Sequence, residues 1–281
     1  MESGPAEIAH VSDTALMTAA CRAMETARPD GLTSDPFAAR LAGERGMAIA
    51  RQIPDFDRMC FGMGVRTRFL DGLVVETIAE QDIGTVLNLG AGLDTRPWRL
   101  QLPAALRWIE VDLAPMLAYK TNLMADAQPH CLLECIAADV TDPDMRDAVF
   151  AAAGDAPVLL ITEGLLMYLP AEAVDSLAAQ PGSARHWLMD ITSPGMAAHG
   201  RLHTYQPIEN VRAATHLNGL QTIEALHRHH WRSARHRNYG KDAWPFAAER
   251  INQLLRQRDD STPIPPAMPP DDPSGIHLFV R

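Results

Sequence analysis

The stretch "VLNLGAGLDTRPWRL", residues 86–100, decides the fold. Val86, Leu87 and Leu89 form a short apolar run that stops at Gly90, Ala91 and Gly92. Asp94 follows, and then the start of a helix. Glycine at the end of a strand lets the backbone adopt positive φ and approach a ligand closely. The pattern is that of a strand feeding a cofactor loop.

On either side of this stretch the rhythm differs. Residues 1 to 80 read as mostly helical, a cap ahead of the first strand. "SDTALMTAACRAMETA" has Ser12 or Asp13 as its N-cap and Pro29-Asp30-Gly31 as its stop. "DPFAARLAG" predicts a short helix ended by Gly43. "VRTRFLDGLVVETIAEQD" carries apolar residues at 65, 69, 70, 73, 74 and 78, one helical face. After residue 81 short apolar runs alternate with helical stretches. "TVLNLG", "RWIEVD", "LLECIAAD", "PVLLIT", "HWLMDIT" and "IHLFVR" read as strands. Strands separated by helices imply right-handed crossovers and a mostly parallel sheet. Residues 194–240, rich in His and Arg, read as a lid inserted into this second unit, 81–281. "STPIPPAMPPDDPSG" is too rich in proline for a regular element.

The chain has 281 residues, 47% hydrophobic and 21% charged, an ordinary globular balance. Its net charge of −10 repels phosphate backbones, which argues against a nucleic-acid partner. No apolar run reaches the roughly 18 residues of a membrane span. "MESGPAEIAHVSDT" lacks the basic start and apolar core of a secretory leader, so a cytoplasmic location is expected. Cys21, Cys60, Cys131 and Cys135 are few and scattered, and read as reduced thiols. Cys131 and Cys135 lack a second pair with zinc-ligand spacing and are expected buried in a strand. No metal site is expected.

Acids close the next two strands. Asp112, at the end of "IEVD", stands 20 residues after Gly92 and suits a ribose diol; Glu110 shares its face. Asp139, at the end of "AAD", suits an adenine amine, with the Val140 amide on a ring nitrogen. A dinucleotide loop reads G-x-G-x-x-G, and here Thr95 or Arg96 stands at the third glycine. A pyrophosphate would also meet Asp94. S-adenosyl-L-methionine carries a sulfonium, an ammonium and a carboxylate but no phosphate. An acid beside the loop suits it, provided an arginine holds its carboxylate.

These residues stand in segments that resemble the leucine carboxyl methyltransferase family, in its bacterial branch tied to polyketide biosynthesis. The resemblance runs through "VSDTALMTAACRAMETARPDGLTSDPFAARLAG", "RTRFLD", "VLNLGAGLDTRPWRL", "IEVDLAP", "AADVTDP" and "TEGLLMYLP", over about residues 11 to 170. It implies a Rossmann-like class I methyltransferase fold: α/β, with a mostly parallel seven-stranded sheet and helices on both faces. It implies S-adenosyl-L-methionine as cofactor. Arg66 then corresponds to the grip on the methionine carboxylate, for which a bidentate guanidinium is suited. Gly90, Ala91, Gly92 and Asp94 are the loop, Asp112 the ribose acid, and Asp139 with Val140 the adenine contact. Glu163 matches the acid near the methionine amino group, and Tyr168 is placed to wall the site. Arg68 is a second choice.

The implied reaction is methyl transfer to an oxygen of a small acidic or aromatic molecule, with a polyketide-type carboxylate favoured. A carboxylate, with a pKa of about 4, is ionised at neutral pH and needs no general base. A phenol would benefit from one. His203 and His199, with Tyr205 nearby, are the lid candidates for that base, and Arg201 is a candidate for pinning a substrate carboxylate. "HRHHWRSARHR", with His227, His229, His230 and His236, reads as a solvated basic surface. Other acceptors remain open at this point, namely a phenolic hydroxyl or a protein C-terminal carboxylate. So do a non-catalytic cofactor binder and an NAD-linked oxidoreductase.

Overall fold

The computed structural model describes residues 11–53, 55–197, 219–256 and 271–281. Three helices come first: α1 (Val11–Ala27), α2 (Ala38–Ala50) and α3 (Phe56–Glu80). The alternating part follows as β1 (Thr85–Leu89), α4 (Arg96–Arg99), β2 (Arg107–Asp112), α5 (Ala114–Leu123), β3 (Leu132–Ala137), α6 (Pro143–Ala153) and β4 (Val158–Thr162). A 3-10 turn at Leu166–Tyr168 leads to α7 (Ala171–Ala179) and β5 (Ala184–Ile191). The remaining elements are α8 (Gly219–Arg228), β6 (Arg232–Asn238), α9 (Trp244–Arg256) and β7 (Gly275–Val280).

The seven strands form one sheet in the order β3-β2-β1-β4-β5-β7-β6. β1 is parallel to β2 and β4, β2 to β3, and β4 to β5. β7 runs antiparallel between β5 and β6. The order reverses between β1 and β4, so the loops leaving their carboxyl ends diverge and open a crevice. β1 and β4 are buried along their whole length, as strands covered on both faces must be. On one face Leu87, Leu89, Ile109 and Val111 pack with Val149, Phe150, Val174, Leu177 and Trp187. On the other, Val86, Trp108, Leu159 and Ile161 pack with Leu70, Leu73 and Val74 of α3.

Local chemistry sets the element ends. Asp55 caps α3 by accepting the Arg58 N–H at 3.3 Å. Asp142 caps α6 by accepting from Asp144 N at 2.9 Å. Ser12 and Asp13 lie within α1 rather than capping it, and the Asp13 carboxylate pairs with Arg45 at 2.7 Å. The helix expected to end at Gly43 does break there, with φ 56, but a second helical segment runs on to Ala50.

The expected lid over 194–240 is corrected in its second half. Residues 219–228 are α8 and residues 232–238 are β6, the sheet's edge strand. The reason is Trp231, which is fully buried, donates Nε1–H to Ala178 O at 2.9 Å and meets Trp187 edge to face at 5.3 Å. β6 itself, "RSARHRN", shows no apolar alternation because it is a polar edge, guarded by Arg235 paired with Glu76 at 3.1 Å. Its histidines are not one solvated patch. His236 stacks at 4.0 Å on His277 of β7, and His229 lies 3.1 Å from Asp175. Among the described residues no cluster of three or more His, Cys, Asp or Glu is placed to hold a metal. Cys135 is a further correction: it is exposed, because β3 is the opposite edge, whereas Cys21, Cys60 and Cys131 are buried. All four thiols are free. Among the described residues no helix is long and apolar enough to cross a membrane.

Candidate cofactor and acceptor site

A cavity of about 700 Å³ lies over the carboxyl ends of β1, β2, β4 and β5, and α1, α3 and α9 also wall it. Arg66, Gly90, Ala91, Gly92, Asp94, Asp112, Asp139, Val140, Glu163 and Tyr168 all line it. Arg68 does not: it is exposed, with its guanidinium 4.5 Å over the Phe246 ring. His199, Arg201, His203 and Tyr205 lie outside the described residues.

The loop after β1 turns through two left-handed glycines, Gly90 at φ 64 and Gly92 at φ 49. A Cβ at Gly90 would stand 2.9 Å from Leu165 Cδ1. The Gly92 N–H donates to Asp112 Oδ2 at 2.7 Å, and the Leu113 N–H to Oδ1 at 2.7 Å. These bonds aim the carboxylate, and each oxygen keeps lone pairs for a hydroxyl. Burial raises the Asp112 pKa, and the two amides act against that rise. Asp139 is exposed at the rim, its Oδ1 accepting from Thr141 N–H at 2.9 Å and Thr141 Oγ1–H at 2.7 Å.

Beneath the loop lies a network of buried charge. Asp94 Oδ1 accepts the Arg96 N–H at 2.8 Å, and Oδ2 accepts from Asn88 Nδ2 at 2.9 Å and Arg96 Nη1 at 3.0 Å. Asp94 therefore holds the loop's shape. Arg96 also donates to Asp71 Oδ1 and Glu163 Oε2, both at 2.7 Å. Arg99 donates to Asp71 Oδ1 at 2.8 Å and to Thr95 Oγ1 at 3.0 Å. Thr95 Oγ1–H passes the chain on to Asp35, which pairs with Arg22 at 2.9 Å.

Arg66 joins this network from α3. Its Nε is 2.9 Å from Glu163 Oε1, an ion pair in which the N–H does not point along the contact. Its Nη1 is 3.7 Å from Asp190 Oδ2. Burial alone would raise the Glu163 carboxyl, but Arg96 and Arg66 outweigh it and hold the pKa at about 2. Burial would lower the Arg66 pKa; Asp190 and Glu163 reverse that and raise it, so the guanidinium stays charged. Behind Asp112, Glu110 and Lys120 form a buried pair at 2.6 Å, and burial pushes the Glu110 carboxyl up to about 7.

Away from the strand ends the lining changes character. Met17, Met59, Phe61, Met63, Met167 and Tyr168 face it from α1, α3 and the 3-10 turn, with Ile251, Leu254 and Leu255 from α9. Arg58 lies at this end, paired with Asp55 at 2.6 Å and donating to Leu254 O at 3.2 Å. Tyr239, just after β6, also lines the cavity, near Asp190 and Arg66. Desolvation first and Asp190 second push its phenol well above the usual range, so it is a neutral donor. Among the described residues the lining has no histidine, lysine or cysteine.

Sequence reasoning missed Asp71, Arg96, Arg99, Asp190 and Tyr239. Arg96 and Arg99 stand inside "DTRPWR", and their value lies in partners from α3 and β4, distant in sequence. "HWLMDIT" did carry a signal for Asp190, an acid at a strand's carboxyl end like Asp112.

The family described as leucine carboxyl methyltransferase matches residues 15–181 of the chain. The chain belongs to that family. A relative in Mycolicibacterium smegmatis, provisionally named an S-adenosyl-L-methionine-dependent methyltransferase, is 39% identical over 184 residues, 59% of this chain and 61% of the relative. A Streptomyces coelicolor relative with the same kind of name is 36% identical over 181 residues, 60% of this chain and 63% of its own length. The match thus spans a little over three fifths of the length of these relatives. Two solved structures share the fold. One is a DUF574 family protein from Streptomyces avermitilis, at 17% identity, TM-score 0.58, covering 95% of this chain and 96% of the other. The other is a provisionally named methyltransferase from Thermobifida fusca, at 18% identity, TM-score 0.52, covering 95% and 93%.

The family's cofactor, S-adenosyl-L-methionine, fits the residues present. Asp112 has both carboxylate oxygens aimed by backbone amides beside the loop, Arg66 offers a guanidinium, and the Glu163 and Asp190 carboxylates flank it. A diphosphate over the same loop would face the Asp94 and Asp112 carboxylates.

Proposed function

We propose that the protein is an S-adenosyl-L-methionine-dependent O-methyltransferase whose acceptor is the carboxylate of a small, largely apolar molecule such as a polyketide-type product. The observation that carries this reading is the two-part cavity, with charged strand ends on one side and a methionine-lined wall on the other. Arg66 holds the cofactor's carboxylate, Glu163 fixes Arg66, Asp112 takes the ribose, and Asp139 with the Val140 amide takes the adenine. Gly90, Ala91 and Gly92 shape the loop, with Asp94 beneath it. The cofactor supplies a methyl carbon already activated by its sulfonium. The chain's task is to align the acceptor oxygen with that carbon and to exclude water. Tyr168 walls the acceptor end. A carboxylate acceptor needs no base, in keeping with a described lining that offers no histidine, lysine or cysteine. Methionine thioethers adapt to irregular apolar surfaces and favour aromatic rings, which supports a ring-bearing acceptor.

The test has two stages. Calorimetric titration with S-adenosylhomocysteine, with NAD as control, should give binding to the first alone. Arg66→Ala and Asp112→Ala should each weaken it tenfold or more, the roughly 1.5–3 kcal/mol of a charge-assisted bond. Transfer of a labelled methyl group to a panel of aromatic and aliphatic acids should then give products that lose the label in mild base, as methyl esters do. Base-stable label would identify a phenolic ether and a hydroxyl acceptor instead. Binding without transfer to any acid, phenol or peptide C-terminus would mark a non-catalytic relative.

A further inference from the structure

Among the described residues five arginines line the cavity. Four of them, Arg22, Arg66, Arg96 and Arg99, belong to the charged network, each within 3.0 Å of a carboxylate there. Arg58 is the fifth and stands apart, in the first turn of α3 beside Met59. It is held from two sides. Its Nε donates to Asp55 Oδ2 at 2.6 Å, and its Nη2 donates to Leu254 O of α9 at 3.2 Å. Asp55 is fixed in turn, because its Oδ1 accepts the Arg58 backbone N–H at 3.3 Å. These bonds leave Nη1, which carries N–H donors of its own, without a partner among the described residues. The Arg58 side chain is 22% exposed. A wholly apolar ligand would strip water from that donor and put nothing in its place. A ligand with an oxygen there would satisfy it.

We propose that Arg58 is a specificity-determining residue for the acceptor, donating a hydrogen bond to a neutral oxygen, a hydroxyl or a ketone carbonyl, at the end remote from the reacting carboxylate. This rests on the function proposed above. The reacting oxygen must meet the methyl carbon at the charged end, where Arg66 holds the cofactor. Arg58 lies about 12 Å from Arg66 along α3, so the oxygen it binds is a second one on the acceptor. The charge of that oxygen follows from Asp55. Arg58 and Asp55 already cancel one another. A second carboxylate would bring net negative charge into a wall of methionine, isoleucine and leucine, whereas a hydroxyl or a ketone brings none. The acceptor class is therefore a hydroxy or keto acid whose oxygens stand at opposite ends of an apolar body.

The experiment is calorimetric titration of the full chain, saturated with S-adenosylhomocysteine, using acids matched in everything but the far end. One set is biphenyl carboxylic acid, its counterpart with a hydroxyl on the far ring and the corresponding dicarboxylic acid. The other is straight-chain acids, ω-hydroxy acids and α,ω-diacids of graded length. At the best-fitting length the wild type should bind the hydroxy acid about tenfold tighter than the plain acid or the diacid, the worth of a hydrogen bond to a charged group. Arg58→Met keeps an apolar stem over Leu254. It should bring the hydroxy acid down to the level of the plain acid, and leave the plain acid and S-adenosylhomocysteine within about threefold of wild type. Asp55→Asn keeps a capping oxygen but frees the charge of Arg58, and should turn the preference toward the diacid. It carries the comparison where Arg58→Met fails to fold. A wild type that does not separate the hydroxy acid from the plain acid overturns the assignment, as does one that prefers the diacid. Equal loss of every acid in Arg58→Met also overturns it, and would mark Arg58 as a clamp on α9 alone. If S-adenosylhomocysteine binds and no acid does, the inference falls together with the carboxylate acceptor. If S-adenosylhomocysteine itself fails to bind, it falls with the cofactor reading.

Discussion

The two ends of the cavity are built on different principles. At the strand ends, position is fixed by charge: Arg96 alone contacts Asp71, Asp94 and Glu163. At the helical end, position is set by packing: Met17 and Met59 sit in one small apolar cluster with Cys21, Ile49, Ile53 and Cys60. A charge network has few alternative geometries, because each lost partner leaves a buried ion unmatched. A methionine wall has many, because its side chains repack at little cost. On the function proposed above, one end holds a constant ligand and the other tolerates a variable one.

Three substitutions can break or sharpen this contrast. The largest effect is expected from Arg96→Ala, which leaves Asp94 without a guanidinium and takes one partner each from Asp71 and Glu163. Urea unfolding should show a loss of about 3–5 kcal/mol, and S-adenosylhomocysteine binding should vanish with it. A loss under 1 kcal/mol would mean that the network is ornament and the contrast is wrong.

The second concerns acid. Glu163 has its pKa lowered to about 2, so its contribution is present above the ordinary carboxylate range and fades only as pH falls toward that value. The charged end should therefore survive mild acid. His277 behaves in the opposite sense. It is 5% exposed, and burial lowers its pKa to about 4. The unfolded chain then binds the extra proton first, so stability falls as pH drops below about 6.5 and stops falling below the folded value. At about pH 5 the cost is about 2 kcal/mol. His277→Asn should remove most of the difference between urea midpoints at neutral pH and at about pH 5. If the difference persists, the acid-labile element lies in the network after all.

The smallest effect belongs to the helical end. Met59→Leu should cost less than about 1.5 kcal/mol and leave S-adenosylhomocysteine affinity within twofold, while shifting the KM for an identified acceptor. A large loss of stability here would show that the wall is as rigid as the floor.

The same contrast explains what could be read from the sequence. The loop, Asp112, Asp139 and Arg66 stand in short contiguous motifs, because the strand–turn–helix that makes a cofactor loop is local. Arg96 and Asp71 are 25 residues apart and meet only when α3 lies across the end of β1, so their pairing was not legible. β6 was missed for a related reason. An edge strand faces water and α3's glutamates, so nothing selects apolar alternation in "RSARHRN". The buried Trp231 that anchors it was the one large apolar residue in a basic stretch. The acceptor wall was least legible, because methionines at helical spacing serve a core equally well.

Helix α3 spans Phe56–Glu80 and touches every part of this arrangement, with Arg58 at the methionine-lined end, Arg66 at the charged end, Asp71 in the network and Glu76 against the edge strand. It is a graduated rod. At 1.5 Å per residue, Arg58 and Arg66 are spaced about 12 Å apart along its axis. One residue inserted between them would turn one guanidinium about 100° away from the cavity. The reach of the cavity from its charged end to its apolar end is written into the spacing of two arginines.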